Sequence, residues 1–194
     1  MQPVTPQPPF EICTVAVIGA GTAGRSFALS CAAAGYQVVL EDVMPANLRR
    51  AEADFAEMEL RDSSGTLSLA LTVEDAVREA DLAIDFVPDE LESKLEIFSM
   101  IDRMAPPRTI LCTPSDALSI TDLASCVYRP ERCFAVRGGR LAAGSTIRLL
   151  YPASAEEQAL TAATCFLHSL RIEVQRAADP DVPVLLKNLA HTAI

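Results

Sequence analysis

The chain has 194 residues, half of them hydrophobic and 22% charged, with a formal net charge of −10. That composition describes a globular protein with one sizeable core rather than a disordered chain. The acidic balance argues against nucleic acid or an anionic membrane surface as the main partner, since both reward Lys and Arg. An anionic cofactor is still compatible, because backbone N–H groups bind phosphate on an acidic protein.

Residues 1–11, "MQPVTPQPPFE", carry four prolines in the first nine positions and read as a flexible, solvated tail. They lack the basic start and apolar run of a secretory signal. No apolar segment approaches the roughly 20 residues that cross a bilayer. From there, strand-length apolar runs alternate with helix-length segments. "TVAVIG" (14–19), "QVVLED" (37–42), "LAIDFV" (82–87) and "RTILCT" (108–113) are nearly continuous in hydrophobicity, as strands buried on both faces of a parallel sheet must be. Between them, "AGRSFALSCAAAG", "PANLRRAEADFAEMELRD" and "DELESKLEIFSMIDRM" have helical spacing, with Gly35 closing the first and Pro45 suiting the first turn of the second.

A short strand at 67–71 and a short helix opened by Thr72 precede the third of these strands. After Pro130, "RCFAVR" and "STIRLLYP" read as strands, and Ser154 with Glu157 forms a capping box for "SAEEQALTAATCFLHSL". "RIEVQ" is the last strand. The fold class is α/β, a doubly wound Rossmann-type sheet, mostly parallel, with its ligand at the carboxyl ends of the strands near the switch point.

The six cysteines have no CxxC or Cys/His spacing, so no metal site is predicted. Cys13, Cys31 and Cys112 lie in apolar runs and read as free buried thiols, which points to a reduced, cytoplasmic protein.

The stretch "VAVIGAGTAGRSFALSCAAAGYQVVLEDV" holds Gly19-x-Gly21-x-x-Gly24 between a strand and a helix. Gly19 allows the tight turn, Gly21 lets backbone approach a pyrophosphate, and Gly24 permits close helix–strand packing. Thr22 and Ala23, with Gly24, open the helix whose free N–H groups and positive end face the phosphates. Asp42 follows Gly24 by 18 positions, where a carboxylate accepts ribose hydroxyls. Strand alternation lets only one of Glu41 and Asp42 face that ribose, and either repels a 2′-phosphate. The cofactor is therefore read as NAD in preference to NADP.

With "LAIDFVPDELESK" and "ILCTPSDALSITDLA…RPERCFAVR" added, the chain resembles the NAD-binding domain of the 3-hydroxyacyl-CoA dehydrogenases over roughly residues 12–190. The resemblance implies a Rossmann domain at 12–178 and, at 179–194, a segment resembling the start of the family's helical domain, which a chain stopping at Ile194 is expected to lack. Members of that family oxidise 3-hydroxyacyl-CoA in fatty-acid metabolism, and the helical domain completes the acyl cleft and the dimer. Carried over position by position, Gly19, Gly21, Gly24 and Asp42 match the cofactor residues. Asp89 stands at the acidic position of "VPEDLELK" and Lys94 at the lysine beside the cofactor; read without the family, Lys94 is an ordinary solvated lysine.

The catalytic half departs from the family. "SNTSSLSI" reads "TPSDALSI", which puts Asp116 at the serine and Pro114 at the asparagine. "HFFNP" reads "RGGRL", which puts Arg137 at the general-base histidine and Arg140 at the nicotinamide-side asparagine. The orienting glutamate, twelve positions on, becomes Leu149 within a register of one. "DVPVLLKN" loosely resembles "DxPGFxxN", so Asn188 matches the asparagine near the substrate carbonyl, although Val184 replaces the glycine. The family's helical hairpin that touches coenzyme A, between the ribose strand and "LAIDFV", is missing.

Histidine accepts a hydroxyl proton near neutrality, whereas arginine is never a base at working pH. Asp116 and Arg137 are expected to converge and form an ion pair, which makes the carboxylate less basic. Of the two histidines, His168 reads as a packed core or boundary residue, and His191 shares a helical face with Asn188.

Two readings stand. One is an NAD(H)-binding protein acting as sensor, scaffold or partner subunit. The other is an active NAD-dependent dehydrogenase on a small anionic hydroxy acid or acyl substrate, held by Arg137 and Arg140, with Asp116 as base. A homo-oligomer, or a separately encoded helical subunit completing an acyl-CoA site, is compatible with either.

Overall fold

The computed structural model describes residues 10–58 and 65–180. Strand β1 (Thr14–Ile18) runs into helix α1 (Thr22–Ala33), β2 (Gln37–Glu41), α2 (Pro45–Ala56) and β3 (Thr66–Ala70). A second half follows with α3 (Val73–Val77), β4 (Leu82–Asp85), α4 (Leu91–Met104), β5 (Ile110–Pro114) and α5 (Ile120–Ala124). The chain then forms a 3₁₀ turn (Pro130–Arg132), β6 (Cys133–Arg137), β7 (Thr146–Tyr151), α6 (Glu157–Ser169) and β8 (Glu173–Ala178).

Among the described residues, one eight-stranded sheet has the order β3-β2-β1-β4-β5-β6-β7-β8. β1 through β6 are parallel, and β7 turns antiparallel to β6 and carries β8 parallel to itself. The order reverses between β1 and β4, which makes the crevice at their carboxyl ends the switch point of a doubly wound Rossmann-type fold.

Alternation along the strands sorts the core into two layers. Val15 and Val17 of β1 face α1, α2 and α6, where Phe27, Leu48 and Phe166 pack. Ala16 and Ile18 face α3, α4 and α5, where Val77, Phe98 and Leu123 pack. A strand covered on both sides has no polar face, which is why β1 and β4 are apolar almost throughout.

Gly35 follows α1 at φ 104°, and Pro45 opens α2. Thr72 caps α3 by accepting the Asp75 N–H at 3.2 Å. Ser154 does not cap α6, which starts at Glu157 with Glu156 as N-cap and no side-chain cap bond. The Glu156 N–H instead reaches the Glu131 carbonyl at 2.8 Å, and Arg132 pairs with its carboxylate at 2.7 Å. These tertiary bonds to the 3₁₀ turn fix where the helix begins.

Cys31 and Cys112 are buried free thiols as expected, but Cys13 is exposed because β1 starts one residue after it, and Cys133 is buried instead. His168, in the last turn of α6, is exposed rather than packed. Asn188 and His191 lie outside the described residues. Among those described, no helix is long and apolar enough to cross a membrane, and no cluster of metal-binding side chains occurs.

Phe134 of β6 is fully buried in the layer shared with Leu149 and Phe166. Phe134→Ala is expected to cost about 3–5 kcal/mol of stability in urea unfolding, since the lost transfer energy and the cavity left behind add.

Candidate functional site

The turn between β1 and α1 is set by two backbone contacts. The Gly19 N–H donates to the Glu41 carbonyl at 2.8 Å, and the Phe86 N–H to the Ile18 carbonyl at 2.7 Å, so neighbouring strands clamp the turn from both sides. Gly19 has φ +97°, and a Cβ on Gly24 would stand 1.9 Å from the Gly19 carbonyl oxygen. A Cβ on Gly21 would meet nothing within 4 Å. That open space lies at the N-cap of α1, where no side chain makes a cap bond and no acidic residue occupies the first turn. Gly21, Thr22 and Ala23 are exposed there.

One residue past β2, the Asp42 carboxylate is buried against the same turn. Oδ2 accepts the Ala20 N–H at 2.8 Å and the Asn47 side-chain amide at 3.0 Å, and Oδ1 accepts the Met44 N–H at 2.7 Å. Glu41 is also buried, and its carboxyl is pushed up by burial and then by the Asp42 charge. Val43 and Met44, which follow Asp42 in the chain, and Leu71, which follows β3, are exposed.

On the other side of the crevice, Lys94 of α4 is 1% exposed and donates to Asp85 Oδ1 at 2.7 Å; Asp85, the last residue of β4, is 0% exposed. The Thr113 hydroxyl and the Val87 N–H also face that carboxylate. Burial pushes the Asp85 carboxyl up, and it outweighs the opposing pull of Lys94. Lys94 is therefore not the solvated helix lysine that its residue type suggests. Asp89 accepts the Asp116 N–H at 3.0 Å. Burial raises its carboxyl, but bonds from the Ser115 hydroxyl and the N–H groups of Asp116 and Ala117 outweigh that and hold it below the usual range.

Asp116 and Arg137 meet at the ends of β5 and β6, but the expected ion pair does not form. The Arg137 guanidinium donates to the carbonyls of Ser115 at 3.2 Å and Leu118 at 2.5 Å. The Asp116 carboxylate accepts the Gly138 N–H at 3.0 Å. Each side chain stitches the other's loop through backbone, which gives partners to part-buried carbonyls and to the Gly138 N–H. Leu149 lies opposite Val136 and is 0% exposed in the apolar layer. Arg140 is exposed in the loop that follows. A separate cleft of about 1090 Å³, lined by Phe10, Tyr36 and Phe166, opens at the amino ends of β1 and β2, away from these residues.

Residues 14–137, well over half of the chain, match the model of the 3-hydroxyacyl-CoA dehydrogenase NAD binding domain. The chain belongs to that family. It is 33% identical over 135 residues to a probable 3-hydroxybutyryl-CoA dehydrogenase of Bacillus subtilis, covering 63% of this chain and 47% of that protein. It is 36% identical over 134 residues to a 3-hydroxyadipyl-CoA dehydrogenase of Escherichia coli, covering 63% of this chain and 28% of that protein. The chain thus spans less than half the length of these two curated relatives. The crystal structure of 5-formyl-3-hydroxy-2-methylpyridine 4-carboxylic acid 5-dehydrogenase, an NAD⁺-dependent dismutase, superposes with a TM-score of 0.75 at 26% identity, covering 94% of this chain and 62% of that one.

The cofactor of this 3-hydroxyacyl-CoA dehydrogenase-type domain is NAD, and the residues present fit it. The Gly21 cradle, the uncapped α1 terminus and the Asp42 carboxylate stand side by side at the switch point. Sequence reasoning missed two members of the site. Asp85 is visible as the one charge ending an otherwise apolar strand, nine positions before Lys94. Asn47 carries no motif, and only the fold brings its amide to Asp42.

Lys94→Met should cost about 3–5 kcal/mol at pH 8, because it leaves the Asp85 carboxylate buried without its counter-ion. The Asp85 carboxyl is already raised, and the substitution raises it further. A raised carboxyl stabilises the fold while protonated, and that contribution is lost as pH rises through its folded value. The deficit of the variant should therefore shrink from pH 8 to pH 5 in urea unfolding. An equal deficit at both pH values would show that the stranded carboxylate is not its cause.

Proposed function

We propose that this chain is an NAD(H)-holding member of the 3-hydroxyacyl-CoA dehydrogenase family in which the hydroxyacyl chemistry has been lost or diverted. The observation that carries the reading is Arg137. At the position of the family's general base stands a permanent cation, turned away onto the Ser115 and Leu118 carbonyls. Dehydrogenation needs a group that takes the hydroxyl proton as hydride leaves. Asp116 is a poor substitute, since its carboxylate is already engaged by the Gly138 N–H at 3.0 Å. Leu149, sealed in the core, offers no charge to orient a base.

The same contacts weigh against the rival reading, a dehydrogenase of a small anionic hydroxy acid, because Arg137 already spends donors on backbone carbonyls. Any acyl-CoA ligand, homo-oligomer or separate helical subunit belongs to this proposal as well, as do a link to fatty-acid metabolism and a cytoplasmic setting, which the six free thiols favour.

The nucleotide half is tested by titrating NADH and NADPH fluorescence. NADH should bind in preference to NADPH, since the Asp42 carboxylate opposes a 2′-phosphate, and Asp42→Ala should weaken NADH at least several-fold by removing the ribose acceptor. Equal affinity for the two nucleotides would refute the preference.

The catalytic half is tested by steady-state assay with 3-hydroxybutyryl-CoA and NAD. The expected rate is background, and turnover of roughly one per second or more would overturn the proposal.

A further inference from the structure

A ribose presents two vicinal hydroxyls to the residue at the end of β2, and each needs an acceptor. An ionised carboxylate offers about four lone-pair sites, two on each oxygen. On Asp42 three of these are taken: the Ala20 N–H and the Asn47 amide fill Oδ2, and the Met44 N–H takes one side of Oδ1. One site is left for two hydroxyls. Glu41 does not make up the shortfall, since it is buried and alternation turns it to the opposite face of the strand.

The three donors differ in their freedom to leave. The Ala20 N–H belongs to the clamped glycine turn, and the Met44 N–H to the N-cap of α2, so neither moves without the backbone. Asn47 is half-buried in the first turn of α2, and its own N–H is already satisfied by the Met44 carbonyl at 2.9 Å. Its side-chain amide can rotate into solvent while the helix start stays intact.

We propose that Asn47 is a specificity-determining residue of the nucleotide site: its amide covers on Asp42 the acceptor position that the second ribose hydroxyl requires, and yields it when nucleotide binds. The inference rests on the NAD(H)-binding reading. Asn47 sets how much of the ribose interaction appears as affinity, because each binding event first breaks the Asp42–Asn47 bond. A nucleotide with only one of the two hydroxyls can bind without breaking it, provided that hydroxyl reaches the vacant side of Oδ1.

The experiment is calorimetric titration of the full chain and of Asn47→Leu with AMP, 2′-deoxy-AMP and 3′-deoxy-AMP. Leucine is close in size and has no donor, so the position on Oδ2 stands open. AMP should bind Asn47→Leu about five-fold more tightly than the unsubstituted protein, the worth of one hydrogen bond no longer broken. That gain should vanish with at least one of the two deoxynucleotides, a pattern that a general change in helix stability would not produce. Asn47→Ala, which asks less of the packing, should show the same pattern. Unchanged or weaker AMP binding in both variants overturns the inference, as does an equal gain with all three nucleotides. Failure of the unsubstituted protein to bind either NADH or AMP would remove the nucleotide reading and this inference with it, whereas binding without a difference removes the inference alone.

Discussion

Helix α1 meets strand β1 backbone to backbone, with the Gly19 carbonyl filling the place where a side chain on Gly24 would begin. The carboxyl end of the sheet is arranged around that contact. Because no Cβ intervenes, the helix start sits directly over the strand, with the open space at Gly21 in front of it. On one side β2 delivers Asp42 to the Ala20 N–H, and on the other β4 delivers Phe86 against the turn. The ring of Phe86 then packs 5.5 Å from that of Phe27 on α1, so the turn is also held from beneath.

Beyond β4 the same end of the sheet is held by charge. Lys94 and Asp85 are sealed together between α4 and the strand ends, and Asp89 ties the start of α4 to the loop after β5. That loop is in turn laced to the end of β6 by Arg137 and by the Asp116 carboxylate. Asp89, Asp116 and Arg137 are each engaged in holding backbone. On the nucleotide side the uncapped helix terminus is still open. The contrast between a half that is open and a half that is tied shut is the physical basis for the reading offered above.

Most of the fold was legible because its signals are local. Continuous apolar runs mark strands buried on both faces, and the glycine spacing with Asp42 marks the switch point before any coordinate is known. What was not legible depends on contacts made across the chain. Ser154 looks like a helix cap in isolation, yet Glu131 and Arg132 decide the start of α6 from more than twenty positions away. Lys94 reads as a surface lysine until β4 supplies a carboxylate beneath it. Asp116 and Arg137 carry opposite charges on converging loops, and the ion pair was the simplest expectation. Unsatisfied carbonyls and an N–H nearby compete for the same groups, and in the fold they win.

The burial of Leu149 constrains what can stand at its position. A carboxylate placed at that position alone would lie among Phe134 and Val136 with no partner and a large desolvation penalty. A histidine placed at 137 alone would withdraw the donors that hold the Ser115 and Leu118 carbonyls. Each of these two substitutions is therefore expected to cost stability by itself. If the proposal above holds, the packing of one leucine makes any return to the family's catalytic pattern depend on two changes made together.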